Sequence, residues 1–332
     1  MKSIETLVTG SFGYVGSHFA NALHARGDAF VNYDNLSTGF KELEIGGKSY
    51  IADINDTEQL SKVFSDHQVD SVVHFAASSQ VGESNQNPGK YYSNNVAGTL
   101  NLLKVMEQHN VKDIVFSSTA AVFGNPEYTP IDESHSKNPI NVYGRSKLMM
   151  EAIIEDFCKI HGFRAISLRY FNAAGAHPLA EIGEMHDPET HLIPLVLQAA
   201  SGKRDDIKIF GSDYDTKDGT CIRDYIHVMD LADAHIRALD HLKKQSPGYC
   251  ENFNLGNGQG YSVNEVIQTA QKVVAGDNKE IKVIAAERRS GDPAVLVADS
   301  TKAQNILDWR PKYANLETII QHAWDFEKNW KS

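Results

Sequence analysis

The 332-residue sequence predicts an α/β fold, a doubly wound parallel sheet followed by a smaller C-terminal α/β region. Three observations carry that expectation. Short β-branched runs alternate with longer helical patterns through the first half, the signature of right-handed βαβ units. A glycine-rich turn lies directly between the first such run and the first helical pattern. After Asn172 the regularity lapses into a stretch rich in Gly, Pro, His and Asp, roughly 175–191, where a second region begins.

Taken in order, the expected strands are residues 4–8, 29–33, 71–75, 113–117 and 165–169, with a further short one ahead of Asp53. Val15, Phe19 and Leu23 recur at four-residue spacing and give the first helix an apolar face; Leu60, Val63 and Phe64 share a face of another. The domain reading is 1–172 for a dinucleotide-binding domain and 173–332 for a substrate domain. The stretch RDYIHVMDLADAHIRAL reads as helix, with part of 224–260 returning to the first domain.

Composition narrows the function. At 41% hydrophobic and 23% charged residues the chain is an ordinary globular protein, so disorder is not expected. A net charge of -11 argues against a nucleic-acid partner, which would need surplus Lys and Arg to neutralise phosphates. No apolar run reaches about 18 residues, so no membrane span is expected. The N-terminus carries no cationic and apolar leader, and Cys158, Cys221 and Cys250 are widely spaced, which together suggest a cytoplasmic protein with reduced thiols. An acidic protein that binds a phosphorylated small molecule must concentrate a few cations locally.

The turn after the first strand reads Gly10-Ser11-Phe12-Gly13-Tyr14-Val15-Gly16, a G-x-x-G-x-x-G loop opening a helix. Alone it could be a mere turn. In the order strand, loop, helix it matches the Rossmann-like dinucleotide fingerprint, in which glycines let the backbone approach a pyrophosphate at a helix N-terminus. Tyr14 and Val15 join the cofactor set with Gly10, Gly13 and Gly16. Asp34 ends the second strand, eighteen positions beyond Gly16, where a carboxylate can accept from a ribose diol and would repel a 2′-phosphate. The cofactor expected is therefore NAD, with Asn35, Asp53 and Ile54 bordering its adenosine end.

Chemistry is expected at Tyr143 and Lys147, four apart and so on one helix face, with Thr119 at a strand end. A phenol with a pKa near 10 is a poor base at neutral pH. Lowering it by about three units takes roughly 4 kcal/mol, available from a nearby ammonium and a cationic nicotinamide. A lone Tyr/Lys pair is often just a solvated face; with the glycine loop and the Ser/Thr strand end, the active-site reading gains weight.

Here the chain resembles the extended short-chain dehydrogenases/reductases, and among them the UDP-galactose 4-epimerases, through GSFGYVGSH, HFAASSQVGES, YYSNNVAGT, FSSTAAVFG, YGRSK, RYFNAAGAHP, RDYIHVMDLADAH and RRSGDP. The resemblance implies that Tyr143 is general base and acid, that Lys147 fixes it and the nicotinamide ribose, and that Thr119 assists. It places Phe75, Ala76, Asn95, Ser117 and Tyr170 along the NAD site, and Asn172, Tyr225 and Asp292 along a UDP-sugar. Arg223 and Arg289 are candidates to clamp its diphosphate, and Phe210 to pack on uracil. For Phe75, Phe171 and Phe210, core packing is the ordinary alternative, as surface ion pairing is for each arginine.

The sequence departs from the family at three places. Ser79 stands where some relatives have lysine, and His191, beside Leu192, replaces an asparagine near the diphosphate. Leu296 replaces the tyrosine of members restricted to non-acetylated sugars, which implies room for an N-acetyl group. The spacing of His186 and His191 gives no convincing metal site, and none is expected. The implied reaction is reversible oxidation and re-reduction at sugar C4, interconverting UDP-glucose and UDP-galactose. Ala120 and Ala121 stand where dehydratases have an Asp-Glu pair, so elimination lacks its machinery. A UDP-uronate 4-epimerase and a non-catalytic redox sensor stay open. The resemblance further implies a homodimer through the helices around Leu100, Leu103 and Met106 and around Leu148, Ile153 and Phe157; core packing explains those residues equally well.

Overall fold

A computed structural model describes residues 4–277, 279–288 and 293–330. In the first half strand and helix alternate: β1 (Glu5–Thr9), α1 (Tyr14–Arg26), β2 (Phe30–Asp34), β3 (Lys48–Ile51), α2 (Thr57–Asp66), β4 (Val69–His74), α3 (Val81–Gln86), α4 (Pro88–Tyr91), α5 (Gly98–Gln108), β5 (Asp113–Thr119), α6 (Val142–His161) and β6 (Arg164–Tyr170). The expected strands fall within two residues of these bounds. Every residue of β2 and β5 is buried, as befits strands covered on both faces by helices. Their alternation divides the core in two. Leu7, Val31 and Ile114 face α2, α5 and α6, while Val8, Val73 and Val115 face Phe19 and Leu23 of α1.

The remainder runs β7 (Asn172–Ala174), α7 (Leu192–Ser201), β8 (Ile207–Phe210), β9 (Ile222–His227), α8 (Val228–Leu242), β10 (Cys250–Leu255), β11 (Gly260–Ser262), α9 (Val263–Ala275), β12 (Val283–Ala286), β13 (Val295–Leu296), α10 (Thr301–Ile306) and α11 (Leu316–Asn329). No helix or strand occupies the stretch between Ala174 and Leu192. The helix expected over 223–239 is corrected at its start. Residues 224–227 are buried strand, and the helix begins only at Val228, where the His227 ring accepts the Met229 N–H. From there Leu231, His235, Ala238 and Leu242 form its buried stripe. The first residues were misread because a strand buried on both faces lacks the alternation that marks a half-exposed one.

The large sheet is seven-stranded and parallel, in the order β10-β6-β5-β4-β1-β2-β3. Its last strand, β10, and the helix α8 come from the later half of the chain and pack with α1 on one face. Strand order reverses at β1, between β4 and β2, the place where doubly wound sheets hold ligands in a crevice beyond the carboxyl ends of the strands. Beside it a four-stranded sheet joins β11, β9 and β13, with β7 also on β9. A third core, including Val196, Tyr225, Val266, Ile320 and Trp324, holds α7, α9 and α11 against it.

Candidate active site

The crevice is shaped by backbone proximity. Gly10 sits at φ 71, and a Cβ there would lie 2.5 Å from Ala76 N, so only glycine lets residues 75–76 cross the turn. Phe75 and Ala76 fix that crossing by both donating N–H to the Thr9 carbonyl, at 2.9 and 3.1 Å. The Phe75 ring packs on Phe19 and His235, so its backbone, not its ring, borders the crevice. A Cβ on Gly16 would be 2.1 Å from the Gly10 carbonyl oxygen, whereas Gly13 meets nothing closer than 3.4 Å. Gly13 heads α1 with no side chain capping it, which leaves the first-turn N–H groups, those of Tyr14 and Val15 included, to attract an anion. This cradle and donor set fit a dinucleotide pyrophosphate.

Asp34 is 7% exposed. Its Oδ2 accepts the Phe12 N–H at 2.9 Å and its Oδ1 the Leu36 N–H at 2.8 Å, and each oxygen retains a lone pair for a ribose hydroxyl. Burial pushes this carboxyl above its usual range, against those two N–H groups. Asn35 donates to Asp53 Oδ2 at 2.8 Å, which fixes the wall beyond it. Two side chains expected along the cofactor point elsewhere. The Ile54 side chain is buried in the core against Gly98, and the Tyr14 hydroxyl donates to the Gly175 carbonyl at 2.6 Å, away from the turn.

The residues expected to carry the chemistry lie on α6 and at the end of β5. Asn141 caps α6 by accepting the Gly144 N–H at 2.8 Å. A Cβ on Gly144 would come within 2.4 Å of the Ala121 carbonyl oxygen, so glycine lets the first turn of α6 press on the 3₁₀ turn after Thr119. This brings the Tyr143 phenol beside the Thr119 hydroxyl, which favours its ionised form. Lys147 lies one turn on, its Nζ 6.0 Å from the Tyr143 ring centroid, 2% exposed and donating to the Ser117 carbonyl at 2.8 Å. The Ser117 hydroxyl hydrogen-bonds Tyr170. Asn95 is buried and bonded to Ser78, Asn94 and Ser146, so it braces the 76–80 loop against α6.

The expected ammonium-lowered phenol is not what the chain alone provides. Burial raises the Tyr143 phenol, with only the Thr119 hydrogen bond pulling it back. Burial likewise pushes the Lys147 amine down to about 7, against the field of Glu151. Glu151 is claimed by others: Arg169 grips it at 2.8 and 2.6 Å and the Ser118 hydroxyl donates to it at 2.6 Å. Beneath them His74 bridges Thr9 and Thr99 at 2.7 and 3.0 Å, and burial keeps its ring neutral at a pKa of about 3.

Pairing on β9 assembles the far end. Asn172 on β7 stands opposite Tyr225, and Leu296 on β13 opposite Arg223. Leu296 also packs with Leu148 and Phe171 on Ala120 and Val122, the turn that follows Thr119. Tyr225 is 4% exposed and belongs to the third core, so packing is its main contact. Phe210 is half-buried on β8 opposite Ala286. His191 and Leu192 mark the start of α7. Arg289 and Asp292 lie outside the described residues.

The sequence profile of the NAD dependent epimerase/dehydratase family matches residues 6–256. The chain belongs to that family. This epimerase-family chain is 51% identical over 322 residues to a Halalkalibacterium halodurans protein named UDP-glucose 4-epimerase, covering 97% of this chain and 95% of the relative. It superposes on a Brucella ovis UDP-glucose 4-epimerase in complex with NAD with a TM-score of 0.92 and 43% identity, covering 97% and 98% of the two chains. A Bifidobacterium longum UDP-glucose 4-epimerase in complex with NAD+ and UDP gives a TM-score of 0.92 at 37% identity, covering 98% of each.

Two clusters in the epimerase-family chain escaped sequence reasoning. Asp224 is buried and accepts the N–H groups of Asn257, Gly258 and Ala298 at 2.8, 3.0 and 3.1 Å, tying three loops to β9; burial lifts its carboxyl to about 6. Glu184, His186, Glu189 and His191 place one ligand-type atom each within 4.8 Å of one another. Only the two histidines were weighed from spacing, yet E-x-H-x-x-E-x-H puts four candidate ligands into eight residues, a density that was itself a signal. Burial opposes charge on both imidazoles, but the facing carboxylates raise His186 to about 9 and His191 to about 10.

Proposed function

We infer that this chain is a UDP-glucose 4-epimerase that interconverts UDP-glucose and UDP-galactose, using NAD, by reversible oxidation at the sugar C4. The single observation that carries the reading is Tyr143, beside Thr119 and with buried Lys147 Nζ 6.0 Å from its ring centroid, in a chain that matches UDP-glucose 4-epimerases over nearly its full length. Bound NAD supplies a reversible acceptor for the C4 hydrogen. The first turn of α1 and the Gly10 to Gly16 loop hold its pyrophosphate, and the buried Asp34 carboxylate accepts from the ribose hydroxyls while rejecting a 2′-phosphate.

In this reading the Tyr143 phenolate takes the C4 hydroxyl proton, becoming the phenol that later returns it, with the Thr119 hydroxyl beside it and Lys147 holding the Ser117 carbonyl. Because burial alone raises the phenol, Tyr143 works as a base only once positive charge joins it in the crevice. The 4-keto sugar must turn so that hydride can return to its other face, with the C4 oxygen again within reach of Tyr143. A firm grip on the nucleotide end by Asn172, Arg223 and the segment starting α7, with a roomy sugar pocket, permits that turn. Leu296 beside the Ala120 turn favours room at C2, and hence tolerance of N-acetylated UDP-sugars.

The proposal includes a homodimer and a cytoplasmic setting. Leu103 and Met106 are spent in the chain's own core, but Met149 and Ile160 remain exposed on α6, and solution scattering that gave a monomeric mass would overturn the dimer. The described cysteines are all unpaired, and among the described residues no helix is long and apolar enough to cross a membrane. Incubating the purified protein with UDP-galactose, UDP-GalNAc and UDP-galacturonate tests the substrate reading. UDP-galactose should yield UDP-glucose on chromatography, and turnover of the uronate alone would replace this reading by a uronate epimerase.

A further inference from the structure

We propose that Glu184, His186, Glu189 and His191 form a binding site for a divalent cation of the zinc type, which clamps the 175–191 segment to the start of α7. The four side chains each bring one ligand-type atom within 4.8 Å of the others. His186 Nδ1 lies 3.4 Å from Glu184 Oε1 and 3.4 Å from Glu189 Oε2, and His191 Nδ1 lies 2.9 Å from Glu184 Oε1 and 3.1 Å from Glu189 Oε1. Metal–ligand bonds of about 2.0–2.1 Å in a tetrahedron require ligand–ligand edges of about 3.3–3.4 Å, so small side-chain adjustments suffice. Nitrogen and carboxylate donors in this number suit zinc better than the all-oxygen shells of calcium or magnesium.

A second observation points to a missing partner. The side chains of Glu184 and Glu189 are each 6% exposed, yet Glu184 Oε1 and His186 Nδ1 are buried without a directed hydrogen bond. His191 Nδ1 is hydrogen-bonded to Glu189 Oε1 at 3.1 Å, but Glu184 Oε1 and His186 Nδ1 lie 3.4 Å apart without aiming at one another, an arrangement suited to ligands of a common centre. Glu189 is oriented for the task, because its Oε1 already accepts the Thr190 and His191 N–H groups at 2.7 and 2.8 Å, leaving Oε2 toward His186. The charges balance as well: two carboxylates cancel one divalent cation, with both imidazoles neutral.

The site's place in the fold gives it a use. The segment from Gly175 to His191 has no regular structure, and its ties to the large sheet include the Tyr14 hydroxyl on the Gly175 carbonyl and the His186 ring at the edge of Tyr14, 6.3 Å between centroids. A cation here joins three points of that segment to α7, next to the turn of α1.

The test uses the full-length chain, stripped with a chelator and titrated with Zn²⁺, with metal content measured by mass spectrometry and Co²⁺ as a spectroscopic substitute. The proposal expects one ion per chain, a visible absorption band typical of four-coordinate Co²⁺, and slower proteolysis within 175–191 on Zn²⁺ addition. Glu184→Gln and His186→Asn should each weaken binding by more than about a hundredfold. Absence of stoichiometric Zn²⁺ and of the Co²⁺ band in the wild type would overturn it, leaving an ion-paired cluster of imidazolium and carboxylate. Retention of the ion by both variants would overturn it too, since the ion would then sit elsewhere. Should one variant fail to fold, the wild-type band and the other variant still decide.

Discussion

Two titratable clusters in this molecule, one buried around Lys147 and one half-buried with His191 exposed, respond to desolvation in opposite ways. Around Tyr143 and Lys147 burial wins, and both groups are driven toward their neutral forms. Around His186 and His191 burial loses, and both imidazoles are raised because two carboxylates face them. The difference lies in where the countercharge is spent. Glu151, the carboxylate one turn from Lys147, is already gripped by Arg169 and Ser118, whereas Glu184 and Glu189 have only the histidines as cationic partners among the contacts described. Depth of burial therefore does not set the charge state; the availability of an opposing charge does.

The largest expected effect breaks the comparison at its catalytic end. Tyr143→Phe should lower kcat by about two to four orders of magnitude while NAD still binds, read by steady-state assay and cofactor titration; undiminished turnover would remove Tyr143 from the chemistry. Next is Arg169→Met, which strands the Glu151 carboxylate in the core and should cost about 3–5 kcal/mol in urea unfolding. A loss below about 1 kcal/mol would mean that Glu151 is not held there as an anion. Gly10→Ala should cost about 1–3 kcal/mol, from the left-handed backbone and the contact with Ala76 N, and should weaken NAD binding more than it weakens folding. Unaltered cofactor affinity would show that residues 75–76 yield easily.

The smallest effect, counted per pH unit, sharpens the charge argument directly. An unfolded lysine titrates near 10.5 and folded Lys147 near 7, so between those values the unfolded chain holds a proton that the folded chain lacks. The sign follows: this group makes the cofactor-free protein gain stability as pH rises through that window, by up to about 1.4 kcal/mol per pH unit. Lys147→Met should flatten that part of the profile in denaturation curves at pH 7 to 9. An unchanged slope would mean that Lys147 stays charged in the folded state.

Much of the crevice was legible in the sequence because its parts are local. The G-x-x-G-x-x-G turn, Asp34 at a strand end and the four-residue step from Tyr143 to Lys147 each depend on backbone geometry within a few residues. The strand β9 was hidden because it is buried on both faces, and Tyr225 gave no sign that it faces a core of α7, α9 and α11. Tyr14 and Ile54 lie in the segments expected to border the cofactor, but their side chains turn to Gly175 and Gly98. Nothing in a short window reveals which way a ring will point.

By itself the sequence determined the doubly wound sheet, the dinucleotide turn and the shared helix face of Tyr143 and Lys147, since periodicity and glycine geometry act between near neighbours. Tertiary structure alone decided that Leu296 reaches the Thr119 turn, that Asn172 and Arg223 share a sheet, and that two carboxylates and two imidazoles converge ahead of α7. It also decided the protonation of Lys147 and His191. Those outcomes depend on desolvation and on charges brought together across the fold, and such energies exist only once distant segments have met.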